Sequence, residues 1–305
     1  MARVLVVGSV NMDVVAPLRR IPEPGETILI DDIRLVPGGK GANAAVAAAR
    51  LGGEVRFIGC VGDDAFGHAL RDNLVREGIG CEHLKFGDRG SGTAVILLNT
   101  TDAQNAIMVG PGANDQVTLP ASDELFDWAD ILMLQLETPV VVNVEATRRA
   151  RAHGVKVVLD PAPAASDLPE ELLCGVDLLS PNESELATLS GQAVKNVDDA
   201  IGAAERLMKR GVGELVVKLG DKGALWVTES RREHFPSTPV QPVDTTAAGD
   251  AFTGALSVGL ADGIGTADAI RRACLAGALA CTKLGAQPSL PTREEVDAFG
   301  AGQRP

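Results

Sequence analysis

Tyrosine is absent from this 305-residue chain, and aromatic residues make up only 3% of it. Basic residues are also few, because the 28 Lys and Arg are outnumbered by 41 Asp and Glu and the formal net charge is −13. Nucleic-acid-binding surfaces need clustered basic residues, often interleaved with aromatic rings. The composition therefore argues against a nucleic-acid partner, and an anionic ligand would have to be held by local amides and a few cations.

Long hydrophobic runs and paired cysteines are missing as well. No apolar run approaches the roughly 18 to 20 residues that a membrane span requires, and residues 1–8 lack the zones of a signal peptide. The five cysteines form no C-x-x-C pair, which predicts reduced thiols in a cytoplasmic protein with no membrane partner. The four histidines show no metal-ligand spacing.

What the chain does contain is an alternation of short β-branched runs with helical patterns. Such strands, buried on both faces, predict a mostly parallel sheet between two helical layers, with ligands bound beyond the carboxyl ends of the strands. The predicted strands are 4–7, 55–61, 131–135, 155–159, 178–180 and 215–218. The predicted helices are 42–51, 66–77, 139–153, 183–189, 197–210, 249–260 and 267–283.

Three further strand-like stretches, 26–36, 93–99 and 106–109, have no helix between them. They predict a small antiparallel sheet apart from the main layer. We expect this sheet to act as a lid, formed by about 14–36 and 92–110 of a single domain that covers 1–305.

The most informative segment is Asp244-Thr-Thr-Ala-Ala-Gly-Asp250, which leads directly into a predicted helix. Small residues at a helix start let several backbone N–H groups point outward together, and the helix dipole strengthens the resulting anion site. Asp250 could accept a proton from a hydroxyl beside a bound phosphate. An ordinary helix N-cap explains the same residues.

Polar groups also follow several predicted strands. Asn11 and Asp13 are spaced so that both side chains face the same way in an extended segment, although an Asx turn would explain them too. The glycine-rich turn from Gly38 to Asn43, which contains Lys40, lacks the pattern of a Walker A loop. Glu137, just before a helix, fits ligand binding or capping equally well.

Two more candidates lie further along the chain. Asn182 and Glu185 share a helix face, so they could reach a phosphate–metal assembly or form a capping box. The stretch from Lys218 to Gly223 predicts either a tight turn or a loop that lines a nucleotide.

The order and spacing of these motifs resemble the ribokinase-like (PfkB) sugar kinase family, from residue 4 to about 299. The most specific elements are Gly-Gly-Lys-Gly-Ala-Asn at 38–43, Pro-Asn-x-x-Glu at 181–185 and the segment 244–250, supported by Asp-Pro-Ala-Pro at 160–163 and Gly-Ala-Gln-Pro-Ser at 285–289. The resemblance implies a three-layer α/β/α sandwich with a small β lid, and a homodimer joined through the lids.

The resemblance also implies the reaction, transfer of the γ-phosphoryl group of ATP to the 5-hydroxyl of D-ribose. Asp250 matches the general base, and Ala247, Ala248 and Gly249 match the anion hole. The positions that match sugar-binding residues are Asn11, Asp13, Gly39, Lys40, Gly41, Asn43, Glu137 and Asp250.

Nucleotide and ion positions follow from the same resemblance. The nucleotide positions are Asn182, Glu185, Lys218, Leu219, Gly220, Asp221, Lys222, Gly223, Gly249 and Cys274, with Glu185 helping to place Mg²⁺. Asp244, Thr246, Ala280, Lys283, Gly285 and Ser289 match a K⁺ site, mostly through backbone carbonyls.

The sequence departs from the family pattern in three places and leaves alternatives open. Ala247 stands where many members have glycine, Ala44 stands where glutamine is frequent, and Cys274 replaces a polar residue near adenine in some relatives. Deoxyribose, another sugar or a nucleoside remain alternative acceptors. A non-catalytic sugar-binding regulator on the same fold is disfavoured by the intact Asp250 and Asn-x-x-Glu motif.

Overall fold

The computed structural model describes residues 1–99 and 105–302. Its strands within that part of the chain are β1 (Arg3–Val7), β2 (Asn11–Leu18), β3 (Arg34–Gly38), β4 (Glu54–Gly62), β5 (Gly80–Gly87), β6 (Gly92–Asn99), β7 (Asn105–Gly110), β8 (Ile131–Leu134), β9 (Lys156–Leu159), β10 (Leu178–Leu179), β11 (Glu214–Lys218), β12 (Ala224–Val227) and β13 (Arg232–Phe235). Nine of them form the main sheet, in the order β13-β12-β11-β10-β9-β8-β1-β4-β5.

Helices cover both faces of this sheet, and β1 shows how its residues are divided between them. Val4 and Val6 belong to one core, and Leu5 and Val7 belong to the other, because successive side chains of a strand point to opposite faces. The first core includes α1 (Lys40–Arg50), α2 (Ala65–Arg76), α8 (Ala248–Ala261), α9 (Thr266–Ala280) and α10 (Arg293–Gly302); the second includes α3 (Glu124–Trp128), α4 (Val140–Ala152), α5 (Glu170–Gly175), α6 (Glu183–Ser190) and α7 (Val197–Met208). The predicted three-layer sandwich is confirmed.

The main sheet is parallel from β5 to β11, as expected, and antiparallel at its β11–β12–β13 edge. The sequence prediction missed β5, β12 and β13. In β5 and β13, alternate residues are only partly buried, and charged residues occupy exposed positions of both strands. Edge strands of this kind lack a clear hydrophobic pattern.

A separate four-stranded sheet has the order β3-β2-β6-β7. The expectation of a purely antiparallel sheet is wrong, because β2 and β6 pair in parallel over residues 11–18 and 92–99. The predicted strand at 26–36 is also wrong, since only Arg34–Gly38 pairs. Leu29 is 98% exposed and Ile33 is 56% exposed, so these two apolar side chains pack against little of the protein. Of the expected lid range 92–110, residues 100–104 lie outside the described residues.

The packing of α1 against α8 brings together the two loops that precede these helices. A methyl group at Gly254 of α8 would lie 2.7 Å from Ala47 Cβ and 3.0 Å from Ala44 O of α1, so the glycine lets the two helices pack closely. Their first turns therefore lie side by side at one edge of the main sheet.

The predicted helix 267–283 ends earlier than expected, at Ala280. The carbonyl of Cys281 accepts hydrogen bonds from the N–H groups of Val243 (2.7 Å) and Asp244 (3.2 Å) and is thus used by the neighbouring loop. Within the two described ranges, no helix has the length and apolar character needed to cross a membrane.

Candidate active site

Loops that follow β1, β8, β9, β10 and β11 meet at the carboxyl edge of the main sheet, where two cavities adjoin. The first cavity, about 620 Å³, lies against the second sheet; the second cavity, about 480 Å³, lies over the ends of β10 and β11. Lys40, Ala247 and Asp250 line both of them. A third cavity, about 460 Å³, lies at the amino ends of β4 and β5 and contains none of the predicted site residues.

The structure brings together most of the predicted residues. The first cavity is lined by Asn11, Asp13, Gly39, Asn43, Glu137 and Thr246 in addition to the shared residues. The second is lined by Asn182, Glu185, Lys218, Gly220 and Gly249.

Asp250 lies in the first turn of α8, at the junction of the two cavities, and is only 7% exposed. Its Oδ2 accepts a 2.9 Å hydrogen bond from Nδ2 of Asn43. Burial raises the pKa of Asp250 above its ordinary value, although the nearby Lys40 ammonium and the Asn43 hydrogen bond act in the opposite direction. A buried carboxylate whose pKa is raised is a better proton acceptor than an exposed one.

The start of α8 has an unusual backbone. Ala247 has φ 61° and ψ 7°, and it is the one non-glycine residue with positive φ in the described part of the chain. In the same part of the chain, no backbone hydrogen bond uses the N–H groups of Ala247, Gly249 or Asp250, whereas the N–H of Ala248 donates to Thr245 O over 3.3 Å. Free N–H groups at a helix start form a site for an anion.

Lys40, the first residue of α1, provides a positive charge between the cavities. Burial would lower its pKa, but the carboxylates of Asp250, Asp160, Glu137 and Glu185 outweigh burial and raise the pKa above its ordinary value. The ammonium therefore stays charged throughout the physiological range.

Asp13 faces the first cavity from β2 and is 8% exposed. Burial, with smaller effects from the Glu137 and Asp250 charges, raises the pKa of Asp13 to about 7. This carboxyl group therefore titrates near neutral pH.

Glu137 is held by the glycine-rich turn. Its Oε2 accepts hydrogen bonds from Ser9 Oγ (2.6 Å) and from the backbone N–H of Lys40 (3.1 Å). Gly41 does not line either cavity. A methyl group at Gly41 would lie 2.6 Å from Gly8 Cα, so this glycine lets α1 approach the end of β1.

In the second cavity, both interpretations of the Asn-x-x-Glu motif hold at once. Asn182 caps α6 by accepting from the Glu185 N–H, and Glu185 Oε2 accepts from the Asn182 N–H over 2.8 Å, which completes a capping box. Glu185 Oε1 accepts from Asn182 Nδ2 over 2.7 Å. Burial raises the pKa of Glu185, against the opposing effect of Lys218.

Lys218 Nζ donates to Oδ2 of Asp160 over 2.7 Å, and Thr253 Oγ1 donates to the same oxygen over 2.9 Å. Asp160 is 3% exposed, and its Oδ1 is buried without a hydrogen-bond partner. Three elements, β9, β11 and α8, are thus tied together by one carboxylate.

The remaining predicted nucleotide positions contribute less directly. Gly220 lines the second cavity, but Leu219, Asp221, Lys222, Gly223 and Cys274 do not. Lys222 pairs with Glu183 at 3.0 Å, and a methyl group at Gly223 would lie 2.0 Å from Phe235 O.

Of the predicted K⁺ positions, Thr246 and Gly285 contact Asp244. Its Oδ1 accepts from the N–H (2.9 Å) and Oγ1 (2.6 Å) of Thr246, and its Oδ2 accepts from the Gly285 N–H over 2.8 Å. Burial would raise the pKa of Asp244, but these hydrogen bonds outweigh it and lower the pKa. Lys283 instead pairs with Glu295 at 2.6 Å, and Ser289 Oγ donates to Ala286 O over 2.8 Å.

Sequence reasoning assigned no role to several buried site residues. Ser9 carries no sequence signal beyond its place after β1, and Asp160 stands out in the sequence only as part of the Asp-Pro-Ala-Pro motif. Asn114 follows the second sheet, and Thr253 lies one helical turn beyond Asp250. The four buried site residues to which sequence reasoning assigned no role are Ser9, Asn114, Asp160 and Thr253.

Comparison with known proteins identifies the family of the chain. Residues 1–293 match the family model described as pfkB family carbohydrate kinase. The chain is 37% identical to ribokinase of Bacillus subtilis (97% of this chain, 99% of the relative) and 34% identical to deoxyribokinase of Salmonella typhi (97% and 98%).

A solved structure of Arabidopsis thaliana ribokinase, complexed with ribose and ATP, superimposes with a TM-score of 0.92. It is 34% identical to this chain, and the match covers 98% of this chain and 99% of that one. The family match spans nearly the whole sequence, and the identities exceed 30% over full length. The chain therefore belongs to the pfkB family of carbohydrate kinases.

Proposed function

We propose that this protein is an ATP-dependent ribokinase, which transfers the γ-phosphoryl group of ATP to the 5-hydroxyl of D-ribose and releases D-ribose 5-phosphate and ADP. The observation that carries the proposal is the position of Asp250, a buried carboxylate at the point where the two cavities meet. The sugar would occupy the first cavity and the nucleotide the second. Relatives named ribokinase over the full length support the choice of sugar.

In the proposed reaction, the 5-hydroxyl oxygen attacks the γ-phosphorus while Asp250 accepts the hydroxyl proton. The bond from the γ-phosphorus to the bridging oxygen breaks, and ADP leaves with those electrons. The raised pKa of Asp250 favours this proton transfer, and the Asn43 hydrogen bond holds the carboxylate in place.

The free N–H groups of Ala247, Gly249 and Asp250 would stabilise charge on the moving phosphoryl group, with Ala248 contributing its backbone to the same turn. Lys40 adds a fixed positive charge beside them. Phosphoryl transfer depends mainly on positioning and electrostatic stabilisation, which such a site supplies.

Sugar hydroxyls would bind to Asn11, Asp13, Gly39, Lys40, Asn43 and Glu137. Each lines the first cavity, and together they offer both donors and acceptors. A substrate lacking a hydroxyl would leave a buried polar partner unsatisfied, so this arrangement supports selection among sugars.

Two cations complete the proposal. The unpartnered Oδ1 of Asp160 and the nearby Glu185 form an oxygen-rich edge of the second cavity that suits Mg²⁺ and its waters. When bound, Mg²⁺ would neutralise phosphate charge. K⁺ near Asp244 would rely on backbone carbonyls, because both oxygens of the Asp244 carboxylate already accept hydrogen bonds from the protein.

A dimer through the second sheet is also part of the proposal. Leu35 of β3 and Met108 of β7 are each more than half exposed, and they lie in one cross-strand row on the face of that sheet turned away from the first cavity. Covering them with the same sheet of a second copy would remove this apolar surface from water. Sedimentation of the wild type and of Leu35→Asp tests the dimer.

The five free cysteines support a reducing, cytoplasmic location.

One second candidate has specific support. Deoxyribokinase is a relative at 34% identity, which leaves deoxyribose as an alternative acceptor. ADP release should be measured with D-ribose, 2-deoxy-D-ribose, hexoses and nucleosides, with and without K⁺. The proposal predicts the highest kcat/KM for D-ribose. Sugar binding without ADP release for every compound would instead indicate a non-catalytic regulator.

A further inference from the structure

Asn114 lies in the turn that follows β7, where the chain returns from the second sheet to the main domain. It is 1% exposed, and its side chain contacts the start of β2, the strand by which the chain enters the second sheet. Its Oδ1 accepts from the Val10 N–H over 2.9 Å, and its Nδ2 donates to Asn11 Oδ1 (2.7 Å) and to Val10 O (3.3 Å). Both donor positions of the amide are therefore occupied by protein atoms.

The orientation of both amides follows from one backbone group. A backbone N–H can only donate, so the oxygen of Asn114 must face Val10 and its nitrogen must face Asn11. Asn11 must then present its oxygen to Asn114. Asn11 lines the first cavity, and no hydrogen bond joins its Nδ2 to another described residue, so Nδ2 is available as a donor to a ligand there.

The surroundings leave little room for another arrangement. A methyl group at Gly92 of β6 would lie 2.2 Å from both Asn11 Oδ1 and Asn114 Nδ2, so the glycine makes space for this pair. Asn11 itself is 3% exposed.

We propose that Asn114 is a positioning residue for the sugar: it fixes the direction of the Asn11 amide, so that Asn11 donates a hydrogen bond to a sugar hydroxyl. The inference rests on the proposed sugar kinase function and deepens it. Sugar specificity would then depend on Asn114, although the side chain of Asn114 forms its hydrogen bonds with protein atoms. Asn114 acts only through Asn11.

Asn114→Asp reverses the polarity of the pair. The carboxylate still accepts from Val10, but it cannot donate to Asn11, so the Asn11 amide rotates and presents its oxygen to the sugar. We expect the KM for D-ribose to rise roughly 10- to 100-fold, as for a mismatched buried hydrogen bond. Saturated kcat and the KM for ATP should change little, because neither depends on this contact.

A double-mutant cycle separates orientation from the effect of the added charge. In the Asn11→Ala background, Asn114→Asp should change the KM for D-ribose less than about threefold, because the amide on which it acts is gone. An equal increase in both backgrounds would overturn the inference. Asn114→Leu, which is neutral and leaves Asn11 free to rotate, should give a smaller increase that again disappears in the Asn11→Ala background.

Calorimetric titration with D-ribose measures the dissociation constant of each variant in the same double-mutant cycle and does not require catalysis. Melting temperatures identify any variant that fails to fold. If the wild type binds ribose but releases no ADP, the proposed kinase function fails while the binding cycle still decides the role of Asn114. If ribose does not bind to the wild type, the inference fails with the sugar assignment. If Asn114→Asp does not fold, the result for Asn114→Leu decides whether the inference holds.

Discussion

Nδ2 of Asn43 donates a 2.9 Å hydrogen bond to Oδ2 of Asp250, and so joins the first turn of α1 to the first turn of α8. The two residues are 207 positions apart in the sequence. The close packing of α1 and α8 at Gly254 brings them within reach of each other. The proposed base is thus held by the same turn that carries Lys40.

Asn43→Ala should move the acidic limb of the kcat–pH profile to higher pH. The Asn43 hydrogen bond lowers the pKa of Asp250, so its loss raises that pKa, and more alkaline conditions are needed to ionise the base. Asn73→Ala is a matched control, because Asn73 is also a buried asparagine with a 2.6 Å side-chain hydrogen bond, to Gln287. An unshifted profile in Asn43→Ala would contradict this role.

Asp250→Asn should lower kcat by about 10² to 10⁴, the usual contribution of a general base. Asparagine has nearly the same shape but cannot accept the hydroxyl proton. The melting temperature should not fall, because the substitution removes a carboxylate whose ionisation burial opposes. Steady-state kinetics and calorimetric sugar binding check the prediction, and near-normal turnover in a folded variant would refute Asp250 as the base.

Asp13 should make both stability and sugar binding depend on pH. Its pKa rises from 3.8 to about 7 on folding, so between those values the unfolded chain ionises while the folded protein stays protonated. Folding stability therefore falls as pH rises through this window, by up to about 4 kcal/mol. Asp13→Asn should lose this dependence.

Urea unfolding at pH 5 and pH 8 tests the point, with Asp72→Asn at an exposed position as the control. Relative to the wild type, Asp13→Asn should gain stability between pH 5 and pH 8, whereas Asp72→Asn should not. The wild-type KM for sugar should rise below pH 7 if ionised Asp13 accepts a sugar hydroxyl.

Ala247→Gly should leave stability nearly unchanged. Its left-handed backbone costs alanine roughly 1 to 2 kcal/mol, and glycine avoids that cost but loses roughly 1 kcal/mol through the entropy of the unfolded chain. In Ala187→Gly, inside α6 with ordinary backbone angles, only the loss of about 1 kcal/mol remains. Equal destabilisation of the two variants in chemical denaturation would argue against strain at Ala247.

Asp160→Asn should destabilise the protein by about 3 kcal/mol and raise the KM for ATP. The side chains of Lys218 and Asp160 are only 12% and 4% exposed, and removing one partner leaves a buried charge without compensation. Asp268→Asn breaks an exposed pair with Arg271 and should have no measurable effect on either quantity. An unchanged KM for ATP would show that Asp160 does not contribute to nucleotide binding.

Local sequence patterns predicted much of the fold, because hydrophobic periodicity and helix caps are properties of short segments. The six strands predicted for the main sheet and the seven predicted helices are found near their predicted positions. Strands such as β5 and β13, which are only partly buried, carry a weak pattern and were missed. The strand predicted at 26–36 failed because local apolar content did not reveal that Leu29 has no surface to pack against.

For the candidate site, the sequence determined the chemistry of the groups, since a carboxylate after small residues at a helix start and a lysine in a glycine-rich turn are readable without a fold. Only the tertiary structure decided which groups meet. The pairing of Asn43 with Asp250, of Asp160 with Lys218, and of Asn114 with Asn11 joins residues 207, 58 and 103 positions apart. Such contacts depend on how helices and sheets pack, as do the burial and neighbouring charges that raise the pKa of Asp13 and Asp250.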